Sequence, residues 1–314
     1  MHKIIAWYNQ NRRRVWVTIL AVVIIAAIAY TLMNRMNESL QNPTGRAQTS
    51  RIDENSLNSV TMQSQKSAIS GNNITSSQEE VNTIDNFVSY CNSGKIQEAY
   101  GLLSDECKEE MYSNVNMFKD RYYSSIFGSG KKNVTMQNWT GNIFRVDFNE
   151  DALSTGKVSS GNSFQDYITI VTNSEGEKRL NINRYIGRKN INKTKTVENL
   201  EITVTKKDSY MDYEYYTFEV KNNNDKAASL GKAENLNATY LTDENGLMYK
   251  GRMNEIAQSN LIIRAKETKT IRINYFNEFS STRKIKSLTF SEIVTDYAEG
   301  ITQYLDYYKI TFDL

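Results

Sequence analysis

Side chains equipped for chemistry are sparse in this chain of 314 residues. Its single histidine is His2, so an imidazole base or metal ligand would have no histidine partner. Cys91 and Cys107 are its two cysteines, sixteen positions apart. They lack the paired spacing of a zinc site, which leaves two readings. One is a disulfide, where closing so short a loop contributes about 3 kcal/mol. The other is a pair of small core residues on adjacent helices. Asp147, Asp151 and Asp166 have no second member of a dyad beside them and read as solvent-facing carboxylates among common polar sheet residues. The sequence has no nucleophile elbow, phosphate loop or metal constellation. Enzyme, cofactor and metal functions are therefore not expected.

The clearest local asymmetry is electrostatic. Lys178, Arg179, Arg184, Arg188, Lys189, Lys193 and Lys195 place seven positive charges in eighteen residues with no acid among them. Such a run can hold an anionic surface, wall polymer or lipid headgroups, by screened Coulomb attraction. It can equally be a solvated edge strand, because lysines blunt sheet edges. Tyr210, Tyr213, Tyr215 and Tyr216 form a second cluster, either a contact surface of low entropic cost or the core face of a strand. The whole chain carries +2, yet without Lys3, Arg12, Arg13 and Arg14 the rest is −2, so nucleic acid is not an expected partner.

The N-terminal elements set where these residues work. Val15–Met33 is nineteen residues without a charge, preceded by Arg12, Arg13 and Arg14. As a helix it spans roughly 28 Å, the thickness of a bilayer core. The positive-inside rule then keeps residues 1–14 as a cytoplasmic tail and exports everything after Met33. Ala27-Ile28-Ala29 also fits a signal-peptidase site, so 15–33 reads as a single-pass anchor or as a leader cut after Ala29; both export the same body. Residues 34–78 are rich in Ser, Thr, Asn and Gln and hold the only proline, Pro43, which predicts a disordered tether. The chain has 35 asparagines; with abundant Lys, Ile and Tyr this composition fits a Gram-positive bacterium of low GC content. Its Asn-x-Ser/Thr matches are then chance.

A first folded domain is expected over 79–188. Val81, Ile84, Phe87, Val88 and Cys91 recur at helical steps, Ser104 can cap a further helix, and Val115, Phe118, Tyr122 and Ile126 repeat the pattern. The period then changes to two, through Val134–Asn138, Ile143–Phe148, Tyr167–Val171 and a hairpin turn at Asn173–Glu177. Helices followed by an antiparallel sheet give an α+β order. The text DNFVSYCNSGKIQEAYGLLSDE (Asp85–Glu106), with the terminal hairpin YITIVTNSEGEKRLNINRYIG (Tyr167–Gly187), resembles the nuclear transport factor 2-like superfamily. That resemblance implies a curved sheet wrapped around a long helix as a cone with a pocket.

Residues 189–197 read as a linker, and 198–314 as a second domain of seven or eight short strands, an antiparallel β-sandwich. LEITVTKKDSYMDYEYYTFEVKNNNDK (Leu200–Lys226), with ETKTIRINYF (Glu267–Phe276), resembles the immunoglobulin-like domains of Gram-positive surface proteins. The expected fold is thus α+β: transmembrane helix, nuclear transport factor 2-like cone, then immunoglobulin-like sandwich.

Tail, span, tether and cone in that order resemble assembly-factor subunits of conjugation and type IV secretion machines. The function this implies is a non-catalytic, membrane-anchored envelope protein that binds or scaffolds envelope proteins or anionic wall polymer, with homo-oligomer formation left open. The alternative is an extracytoplasmic protein that holds a small ligand or wall fragment in the cone pocket.

Overall fold

Helical spacing of apolar residues produces the first element. α1 (Gln78–Asn92) buries Val81, Ile84, Phe87, Val88 and Cys91 along one face, and Gly94, at φ 70°, takes the left-handed conformation that ends it. α2 (Ile96–Gly101) and α3 (Asp105–Met111) are short, and Ser104 caps α3 by accepting the Cys107 N–H at 3.0 Å. Asn114 caps α4 (Val115–Phe118) in the same way. The chain continues through a π-helical turn at Lys119–Tyr123 into α5 (Ser124–Phe127).

These helices cover one face of a five-stranded sheet. Its order is β1 (Ala68–Ile69), β2 (Lys132–Thr140), β3 (Ile143–Glu150), β4 (Phe164–Thr172) and β5 (Lys178–Asn181). β1 runs parallel to β2 and the other pairs are antiparallel. Met136, Val146 and Phe148 point with Ile168 and Ile170 into a core filled by aromatic rings; Phe118 stacks on Tyr122 at 5.8 Å and meets Tyr112 edge-on at 5.6 Å. Cys91 and Cys107 are free and buried in this core.

A second core lies between two antiparallel sheets. One has the order β13 (Thr268–Tyr275), β8 (Glu214–Asn222), β7 (Leu200–Tyr210), β6 (Tyr185–Val197). The other contains β9 (Ala227–Ser229), β10 (Thr239–Asp243), β11 (Met248–Lys250), β12 (Ile262–Ile263), β14 (Ile285–Tyr297) and β15 (Tyr308–Asp313), with the one-turn helix α6 (Gln258–Leu261) leading into β12. Ile202, Phe218, Ile273, Leu288, Phe290 and Phe312 are fully buried between them. Glu198 and Asn199 both have positive φ, 43° and 63°, the geometry of a two-residue hairpin turn from β6 to β7.

The computed structural model describes residues 68–69, 78–150, 163–301, 304 and 306–314. The span 15–33, the tail 1–14, Asp151 and most of the tether 34–78 lie outside the described residues. Within 34–78, Ala68–Ile69 is strand and Gln78 opens α1. The expected fold class needs correction. Among the described residues strand outweighs helix, 47% against 22%, so this part is mostly antiparallel β and not an α+β fold built around a long helix. No helix among the described residues is long and apolar enough to cross a membrane. Among the described residues, features specific to a nuclear transport factor 2-like cone or to an immunoglobulin-like domain are not seen. The difference has a local cause: the helical periodicity of the first part breaks into four- to seven-residue pieces after α1, while β6, β7 and β14 run to 13, 11 and 13 residues. Residues 189–197, read as a linker, belong to β6 and pair with β7 throughout most of their length.

Candidate functional site: a charged joint between two cores

Strand register brings the joint together. Arg188 on β6 stands opposite Asp208 on β7, and its Nε donates to Asp208 Oδ1 at 2.7 Å. Its other nitrogens reach α3, Nη1 to Glu109 at 2.7 Å and Nη2 to Glu110 at 3.4 Å. Arg272 on β13 pairs with Glu110, approaches Asp208 at 3.8 Å, and lies 3.9 Å from the Tyr215 ring centroid. Lys206 reaches Glu109 at 3.3 Å. Tyr210 donates its hydroxyl to Glu110 at 2.6 Å, and Tyr185 donates to Asp208 at 2.9 Å.

Three cations, Arg188, Arg272 and Lys206, therefore meet three carboxylates, Glu109, Glu110 and Asp208. Burial gives this pairing its weight: Asp208 is fully buried and the Arg188 side chain is 9% exposed. A buried guanidinium is tolerated only when its donors are taken up by anions, as here. Burial pulls the Arg188 guanidinium down, but its hydrogen bonds with Asp208 outweigh that and hold it above the ordinary range. Hydrogen bonds from Arg188 and Lys206 hold the Glu109 carboxyl below its ordinary value. Burial, then the neighbouring Asp208, pushes the Tyr185 phenol up, so it remains a donor.

Asp166 holds the same joint from the first core. It is fully buried, and its carboxylate accepts four hydrogen bonds: from Tyr122 Oη at 2.8 Å and from the backbone N–H groups of Tyr167, Asn183 and Arg184 at 2.7–2.9 Å. Asn183 and Arg184 are both left-handed, φ 57° and 64°, and form the turn through which the chain leaves β5 and enters β6. Met211 N–H then donates to the Arg184 carbonyl at 3.0 Å. Asp166 thus satisfies backbone donors of a strained corner, and its predicted solvent-facing position is corrected. Asp147 is half-buried on the other face of the sheet, against Arg145 and Gln165.

Internal partners occupy most of the basic run. Lys178 contacts Thr172 and Glu80, Arg179 pairs with Glu177 and donates to the Gly101 carbonyl, Arg184 pairs with Asp212, and Lys193 donates to the Asp313 carbonyl. Lys189 and Lys195 are exposed along β6. The tyrosine cluster divides by strand phase. Tyr210, Tyr213 and Tyr215 pack on one another and against the first core, Tyr210 and Tyr213 stacked at 4.5 Å, while Tyr216 enters the second core beside Tyr275.

Two surface features flank the joint. An open polar groove of about 760 Å³ runs between the start of α3, the β4–β5 hairpin and the β6–β7 face, with Asp105, Glu175, Lys189 and Lys207 on its walls. Elsewhere, Trp139 on β2 is 43% exposed. It meets Tyr167 edge-on at 5.6 Å and reaches Phe279, beyond β13, at 6.1 Å. Among the described residues no group of three or more His, Cys, Asp or Glu could hold a metal ion. Sequence reasoning separated Arg188 into a surface run and did not single out Asp208, Glu110 or Arg272, because nothing local marks them as neighbours. No protein family, curated protein or solved structure matches the chain.

Proposed function

We propose that this protein is a non-catalytic scaffold of the cell envelope whose exported body presents fixed surfaces to other envelope proteins. The charged joint carries the reading. Six ionised groups and two phenols are committed to one another across β6, β7, β13 and α3, so their chemistry goes into holding the two cores in a fixed arrangement. Breaking such a network leaves uncompensated buried charge, which resists relative motion of its parts. The groove and the Trp139 patch both draw on residues from either side of the joint, and Trp, Tyr and Arg are the side chains that dominate protein contacts.

Export is supported by the sequence of residues 12–33, three arginines before an uncharged apolar run. The interior of the first core is filled by its own rings, which favours surface contact over a ligand held inside it.

Photo-crosslinking in intact cells tests this. A crosslinker at Trp139 or Lys189 is expected to give discrete protein adducts, and one at exposed Glu219 on β8 is not. Adducts of equal yield at all three positions, or none at any, would contradict the proposal.

A further inference from the structure

At one end of the second core a cleft of about 410 Å³ opens between the loop after β9, strand β14 and the side chains of Ile301, Tyr304 and Tyr307. Its size is that of a small-ligand site, and its walls are largely aromatic and aliphatic. Tyr297 stacks on Tyr304 at 6.1 Å with ring planes 29° apart, and Tyr307 stands to Tyr304 at 83° and 6.3 Å. Internal bonds fix these rings. The Tyr304 hydroxyl donates to the Ala298 carbonyl at 2.9 Å and accepts the Ala298 N–H at 3.0 Å. The Tyr304 N–H in turn donates to the Tyr307 hydroxyl at 3.3 Å. Ile301 and Tyr307 nevertheless remain 49% and 40% exposed on the same walls.

We infer that this cleft binds an organic ammonium group carried on an apolar body. Three observations select that class. Ring faces attract cations through their quadrupole, and tyrosine is among the side chains that do so. The charged side chains of the lining are Glu234, Glu292 and Lys232, two carboxylates to one ammonium, which disfavours an anion. The near-perpendicular walls offer a corner for a compact group, whereas a pyranose ring docks on a flat platform that rings 83° apart do not make. The ligand's apolar body would cover Ile301.

Choline and its uncharged isostere 3,3-dimethyl-1-butanol distinguish charge from shape. Titrated into the full chain and followed by calorimetry and by tyrosine ring NMR signals, choline is expected to bind about tenfold more tightly than the isostere. Glu234→Gln and Tyr307→Leu should each weaken choline severalfold and leave the near-ultraviolet circular dichroism of the remaining fold in place. Equal binding of the isostere, tighter binding of a chitin trisaccharide, choline binding indifferent to both substitutions, or no binding at all would each overturn the inference. Choline binding does not depend on the scaffold proposal, so failure here leaves the crosslinking result to stand by itself.

Discussion

Asp166 shows how far a single residue departs from its surface chemistry. Burial raises its carboxyl above the ordinary range, against the hydrogen bonds from Asn183, Tyr122, Arg184 and Tyr167 that lower it. A carboxylate whose folded pKa is raised binds more protons folded than unfolded, so its contribution to stability falls as pH rises from the ordinary carboxylate range to the raised value. Asp166→Asn should flatten that slope in denaturant midpoints measured across acid pH. At neutral pH the variant should lose about 1–3 kcal/mol, because an amide cannot accept from donors on both sides and leaves a backbone N–H unpaired. The cysteines give a second residue-scale expectation. Burial pushes the Cys107 thiol up to about 12 and the Cys91 thiol higher still, so neither should react with iodoacetamide at neutral pH until the chain unfolds. Rapid alkylation of the native protein would contradict their place in the core. Part of this was legible. Period two in β4 puts Asp166 in phase with Ile168 and Ile170, which marks a carboxylate on the buried face; the usual preference of Asp for solvent hides that signal.

At the scale of elements, the joint between α3 and the β6–β7–β13 sheet carries the charge argument. Arg188→Met should destabilise the body by roughly 3–5 kcal/mol, since Asp208 is left buried without its partner. Lys193→Ala on the exposed part of the same strand should change stability by no more than about 0.5 kcal/mol. Urea titrations of both variants check the contrast. Glu109 supplies the pH test. Its carboxyl is held low by Arg188 and Lys206, so its stabilising contribution is present above the ordinary carboxylate range and is lost as pH falls through the depressed folded value. Wild type and Glu109→Gln should therefore differ most near neutrality and converge in acid. The individual strands were readable from alternation and turn residues; β13 (Thr268–Tyr275) falls within the alternating stretch Glu267–Phe276. Their extension was not. β6 continues through 189–197 because its lysines and asparagines alternate on an edge strand, where charge reads as linker. The joint itself was illegible, since Glu110 on α3 and Arg272 on β13 lie 162 residues apart and only the packing of the helix against the sheet brings them together.

In the whole molecule the described residues from Ala68 to Leu314 form one compact unit, with the charged joint as its seam. Composition limited the chemistry on offer, and phase within strands limited which side chains could meet, but the sequence carries no local mark of how the two cores share the joint between α3 and the β6–β7–β13 sheet. A scaffold needs that sharing to be permanent: partners that touch the groove and the Trp139 patch at once require both at a constant separation. Native-state hydrogen exchange reads this directly. The amides of α3, of β6 and of the Arg184–Asp212 corner should share one opening free energy in wild type, and in Arg188→Met α3 should open separately at lower cost. Amides of α3 that already exchange independently of β6 in the wild-type protein would show two modules merely in contact and would contradict the account.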